Sequence, residues 1–158
     1  MNVEYINPFL ESINEVFSEW FPQSNMRRDE IHKHDQRVTI RGCASIISIT
    51  GEVEGRIILD MSLETAVSLA TEMLGDEYET FNLEVSSAIN EIANMISGRA
   101  ISKLSNSGKD PDISAPTLFT GMQMELFDSD MISEGIVILL ATEYGALDVY
   151  VAINDKPD

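Results

Sequence analysis

Cysteine, cationic side chains and long apolar runs are all scarce in this chain. Cys43 is the single cysteine among 158 residues, so no disulfide can close within the chain. It lies in an apolar, strand-like stretch and reads as a small core thiol, which favours a reducing, cytoplasmic setting. Lys and Arg together number 10 against 27 Asp and Glu, for a net charge of −17. That balance argues against nucleic acid and against anionic membrane surfaces, whose phosphates would be repelled. Any phosphorylated ligand would need local help against the same field. No apolar run approaches the roughly 18–20 residues of a membrane span. The opening Met1-Asn-Val-Glu4 lacks the basic stretch of a secretory leader. The two histidines, His32 and His34, could point the same way on a strand, but no third ligand is apparent and no metal is expected. Neither a glycine-rich phosphate loop nor a Ser–His or Cys–His arrangement stands out.

What is present is a 44% apolar chain of a length that suits one domain, 1–158, with a sizeable core. Residues 3–20 carry Ile6, Phe9, Leu10, Ile13, Val16, Phe17 and Trp20 at helical spacing, with Pro8 near the start and Pro22 as the stop. Residues 23–36 are polar and read as a loop. Val38–Ile49 is β-branched and alternating, with Gly42 as an interruption. Gly51–Gly55 reads as a turn and Glu54–Met61 as the returning strand. Ser62 is the expected cap of a second helix that buries Ala66, Leu69, Ala70, Met73 and Leu74 and ends at Gly75.

A long helix is expected from about Val85 to Leu104. After the loop at 106–112, strands are expected over Thr117–Thr120 continuing through Met122–Phe127, then Gly135–Glu143 and Leu147–Ile153, with turns at Asp128–Asp130 and Tyr144–Gly145. The last four residues read as frayed. The order helix, strands, helix, helix, strands predicts an α+β fold: an antiparallel sheet with long helices packed on it. A doubly wound nucleotide fold is not expected, because βαβ alternation and a glycine-rich phosphate loop are both missing.

The long helix carries the functional signal. At about 100° per residue, Val85, Ala88, Ile89, Ile92, Ala93, Ile96 and Ala100 share one face. Ser87, Glu91, Asn94 and Gly98 fall on the opposite face as a narrow polar stripe. The ordinary reading is a solvated helix side. Such sides usually favour Lys, Glu, Arg and Gln, whereas Ser, Asn and Gly are poorer helix formers. Small side chains around one carboxylate and one carboxamide leave a shallow surface that another molecule can approach. A mid-helix glycine has a second ordinary explanation, the close packing of a neighbouring helix.

Ser87-x-x-x-Glu91-x-x-Asn94, with Pro116 following 21 intervening residues later, resembles the signature of the CheC–CheX–FliY family of chemotaxis phosphatases. Tyr5-Ile-Asn-Pro-Phe9, Asn94-Met-Ile-Ser-Gly98, Gly135-Ile-Val-Ile138 and Thr142-Glu-Tyr-Gly145 extend the likeness over the chain, closest to its CheX-like members. The spacing to Pro116 is one residue short of the family pattern. The resemblance implies hydrolysis of the aspartyl phosphate of a CheY-like response regulator. Asn94 would orient the attacking water and Glu91 would contact the regulator's active-site lysine, with Ser87 and Gly98 shaping the partner-binding face. It implies no cofactor in this chain, Mg²⁺ arriving with the partner's receiver site, and a homodimer formed through sheet edges.

Glu11-Ser-Ile-Asn14 repeats the E-x-x-N pattern 80 residues earlier, as a possible degenerate second site, although Asn14 falls on the flank of its stripe and no proline follows at the matching distance. Two alternatives stay open. One is a non-catalytic response-regulator or flagellar-switch-type binding module. The other is a structural α+β protein with an incidental stripe.

Overall fold

Two long helices and two central hairpins organise the chain, as seen in a computed structural model that describes residues 3–34, 37–127 and 135–157. The helices are α1 (Val3–Trp20), α2 (Leu63–Leu74) and α3 (Leu83–Asn106). The strands are β1 (Arg27–His34), β2 (Arg37–Thr39), β3 (Cys43–Gly51), β4 (Val53–Met61), β5 (Pro111–Ile113), β6 (Thr117–Thr120), β7 (Glu125–Phe127), β8 (Gly135–Thr142) and β9 (Gly145–Asp155). The main sheet runs β1-β8-β9-β4-β3, with β5 and β6 each pairing one part of the outer side of β3. Every pairing is antiparallel. A separate two-stranded sheet joins β2 to β7.

Period-2 alternation assigns each face. Ile57, Leu59 and Met61 of β4 and Leu147, Val149 and Val151 of β9 join Cys43 and Ile47 of β3 in the core beneath the helices. The intervening residues face the other way, where Ala44 and Ile58 pack with Val38 and Ile40. Cys43 is fully buried in the main core, and burial pushes its thiol up to about 12.

The two halves of the chain exchange into one another. β4 pairs β9 at the centre, β3–β4 matches β8–β9, β1 on β8 matches β6 on β3, β2 pairs β7, and α1 packs on α3. The weak sequence repeat therefore has a counterpart in the topology. In each half, a long helix carrying an E-x-x-N pair leads into the strands.

The α+β class expected from sequence holds, and several local expectations are corrected. The 23–36 stretch contains β1, an outer strand whose residues from Arg27 to Lys33 are exposed and which is held through its ladder to β8. The strand expected to continue from Thr120 to Phe127 breaks, and β7 leaves the main sheet for β2. Trp20 is 43% exposed, and Phe21 takes the buried place at the end of the stripe. The frayed end expected from sequence is instead tied down: Asp155 accepts a hydrogen bond from the Tyr5 hydroxyl and pairs with Lys109, and the Lys156 N–H donates to the Glu52 carbonyl. The turn expected at Asp128–Asp130 lies outside the described residues.

Candidate functional site

α3 starts and ends through local chemistry. Asn82 is its N-cap, its Oδ1 accepting from the Val85 N–H at 2.9 Å, one residue pair that pattern reading had not singled out. The expected apolar stripe is buried throughout, and Ser97, Ile101 and Leu104 join it. Asn90 is half-buried and accepts a hydrogen bond at 2.7 Å from the Ser45 hydroxyl of β3. At the other end, Arg99 pairs with Glu15 and Glu19, and Lys103 pairs with Glu11 and Glu15, lacing α3 antiparallel to α1. The Lys103 and Arg99 hydrogen bonds hold the Glu15 carboxyl below its usual range. These ties set the rotation of α3 about its axis.

With that rotation set, Ser87, Glu91 and Asn94 are exposed and Gly98 is half-exposed, all on the outward ridge. A spacing of three residues puts Glu91 and Asn94 side by side, with Cβ atoms about 5–6 Å apart. Neither makes a hydrogen bond or ion pair with another described residue. A Cβ built on Gly98 would meet no atom within 4 Å. Close packing of a neighbouring helix thus does not explain this glycine. The ridge presents a free carboxylate, a free carboxamide and a bare patch of helix backbone along about two turns.

The Glu11–Asn14 pair on α1 is arranged differently. The Glu11 carboxylate lies 3.3 Å from Lys103 Nζ and borders a hollow with Tyr5 and Lys109. Asn14 opens onto another hollow, beside Arg28 and Ile138. Both side chains are exposed, but Glu11 is engaged by Lys103 where Glu91 is unengaged. Pro116 lies in the link between β5 and β6. His32 pairs with Glu30, and among the described residues no three His, Cys, Asp or Glu side chains group to hold a metal ion.

One charged cluster escaped pattern reading. Asp60 and Asp148 face each other across the β4–β9 ladder on the far side of the sheet. Arg41 Nε donates to Asp148 at 2.9 Å, and the Arg41 backbone N–H donates to Asp60 at 3.0 Å. Burial is the main force raising the Asp60 carboxyl to about 7. An alternating strand conceals such a residue, because its polar side is expected to meet water.

Comparison with known proteins follows this geometry. A family model described as chemotaxis phosphatase CheX matches residues 43–141. The CheY-P phosphatase CheX of Thermotoga maritima is 37% identical over 83 residues, which is 52% of this chain and 54% of that protein. The matched region thus spans about half the length of that curated relative. Among solved structures, the CheX–CheY–BeF3–Mg²⁺ complex from Borrelia burgdorferi aligns with a TM-score of 0.83 at 27% identity, over 98% of this chain and all of the other. A CheC-like superfamily protein from Shewanella sp. PV-4 shares the fold, with a TM-score of 0.85 at 23% identity, over 98% of this chain and 99% of the other. Since the family model takes in the β3–β4 hairpin, α2 and the whole of α3, well over half of the chain, this chain belongs to the CheX family of chemotaxis phosphatases.

Proposed function

We propose that this chain dephosphorylates a CheY-like response regulator, using Asn94 and Glu91 to complete the regulator's own active site. The observation that carries the reading is the ridge itself. Glu91 and Asn94 stand side by side, exposed and unengaged, with open space over Gly98 one turn on. The Thermotoga relative bears the name CheY-P phosphatase, and the Borrelia CheX structure holds CheY with BeF3 and Mg²⁺.

A carboxylate and a carboxamide make a poor hydrolase alone but a sufficient addition to a receiver. The receiver brings the aspartyl phosphate, the divalent cation and a lysine. Glu91 pairs with that lysine and sets the angle of approach. The Asn94 carboxamide donates and accepts at once, and it stays neutral at working pH. It holds a water in line with phosphorus. The water oxygen forms the new O–P bond as the bond from phosphorus to the aspartyl oxygen breaks. The products are inorganic phosphate and the free aspartate carboxylate, and the surplus proton passes to solvent or phosphate. The gain is positional and electrostatic, with no covalent step on this chain.

Glu11 has a structural role in this reading, since it belongs to the α1–α3 lacing through Lys103. Association into a dimer would use a free sheet edge, such as the outer side of β1.

The test is release of phosphate from a phosphorylated receiver by sub-stoichiometric amounts of the chain. Asn94→Ala is expected to lose about 10²–10³ in turnover while still binding, and Glu91→Ala to lose both. Turnover of Asn94→Ala equal to wild type rejects the assignment. A stoichiometric effect only, in the wild type, identifies a binding module instead.

A further inference from the structure

The ridge has a neighbour that the proposed chemistry does not use. Between the end of α2 and the first turns of α3 lies a groove of about 490 Å³, within the size range of side-chain and ligand pockets. Its apolar surface comes from Met73, Leu74, Leu83 and Ala88. Leu83 is 82% exposed, and Leu74, expected from sequence to be buried, is 45% exposed, so two leucines of one groove are left to water. Its charged lining is of one sign, Asp76, Glu84 and Glu91, with no Lys or Arg among the lining residues.

The groove is preformed. The Tyr78 hydroxyl donates to the Glu84 carboxylate, and the Tyr78 backbone N–H donates to the Thr71 hydroxyl at 3.3 Å, pinning the α2–α3 link to both helices. Little ordering is left for binding to impose. The groove is also continuous with the ridge, because Ser87 and Glu91 form part of its wall. A protein that presents a lysine to Glu91 must cover the groove as it does so.

We propose that this groove is the second anchor for the same receiver. It takes an apolar side chain flanked by Lys or Arg from the receiver surface beside its phosphorylated aspartate. The inference rests on the reading of Glu91 and Asn94 given above. It adds what that pair cannot supply: selection among receivers that share one active-site chemistry. Apolar fit supplies the affinity, and the acidic rim sets partner choice and association rate.

The test is titration of the cell's CheY-like receivers, each held with Mg²⁺ and beryllofluoride, into the wild type, Leu83→Ser, Leu74→Ser/Leu83→Ser and Asn94→Ala. The leucine positions are exposed, and thermal melts check that the variants fold. Leu83→Ser is expected to weaken Kd roughly tenfold or more, and the double variant further, with kcat at saturation kept. Asp76→Asn/Glu84→Gln is expected to slow association and flatten its salt dependence.

Wild-type Kd in the double leucine variant overturns the proposal, as does failure of the wild type to bind any receiver of the panel. If Asn94→Ala abolishes phosphate release in the first of those cases, the phosphatase reading survives the loss of the groove. If the leucine variants lose binding while Asn94→Ala turns over normally, the groove stands and the phosphatase assignment falls. Light scattering adds one further outcome. A wild-type dimer that the double leucine variant dissolves would make a second copy of this chain the occupant, and would overturn the proposal.

Discussion

Gly98 separates a free helical ridge from a packed one, because the two make opposite predictions for the same substitution. A glycine inside a helix costs roughly 0.5–1 kcal/mol relative to alanine through backbone entropy. Where the glycine permits close helix packing, adding a methyl group costs more than that gain. At Gly98 a Cβ would meet nothing within 4 Å, so the full gain is available. Gly98→Ala is therefore expected to raise the melting temperature, by about 1–4 °C for a chain of this size. Gly98→Met, with an unbranched helix former, is expected to be at least as stable as wild type. Its side chain, however, projects from the ridge one turn beyond Asn94. If the receiver's backbone comes close there, Gly98→Met loses binding tenfold or more, a difference of about 1.4 kcal/mol. Differential scanning fluorimetry reads the first effect, and titration with a beryllofluoride-held receiver reads the second. A fall in melting temperature for Gly98→Ala refutes the open ridge. Unchanged binding and phosphate release by a folded Gly98→Met refute the close approach of a partner at that turn.

Two further outcomes test the frame that carries the ridge. The Asp60 carboxyl titrates in the folded chain at about 7, far above the 3.8 of an ordinary aspartate, so the folded state holds this proton more tightly than the unfolded state. Its contribution to stability is present in full below about pH 4 and disappears as pH rises to 7, a loss of about 2 kcal/mol between pH 5 and 7. Urea melts should show that slope in wild type and its removal in Asp60→Asn, and an identical pH dependence in the two proteins would refute it. Gly55 lies within β4 where a Cβ would sit 2.0 Å from the Ala152 carbonyl oxygen of β9. Gly55→Ala must push apart the central strand pair and should cost about 3 kcal/mol or more, read as a lowered denaturant midpoint. A midpoint equal to wild type would show that the pair accommodates the methyl group.

Sequence reading succeeded where a signal is repeated along one element. The extents of α1 and α2, the Ser62 cap, the Gly75 stop and the buried face of α3 all come from residues close in sequence, acting at one period. It failed where an element owes its existence to a distant one. β1 is Arg-Arg-Asp-Glu-Ile-His-Lys-His, exposed from Arg27 to Lys33, so no alternation marks it, and only the backbone of β8 makes it a strand. β7 reads as a continuation of β6, and its departure to β2 is a matter of tertiary pairing. Trp20 satisfies the period of α1 but lies at its last residue, where Phe21 can enter the core instead.

The candidate site divides along the same line. Spacing alone puts Ser87, Glu91, Asn94 and Gly98 on one face of a helix, because helical geometry is local and those residues lie within three turns. Spacing could not tell which polar groups along these helices are already engaged by residues elsewhere in the chain. Ser45 on β3 draws Asn90 toward the sheet, and Lys103 engages Glu11, while Glu91 and Asn94 are left unengaged. The acidic-rimmed groove also exists only once α2, its link and α3 are brought together. The sequence by itself determined the three helices, the hairpins and the composition of the ridge. The tertiary structure decided which polar groups stay free, because that depends on partners supplied by residues far away in the chain.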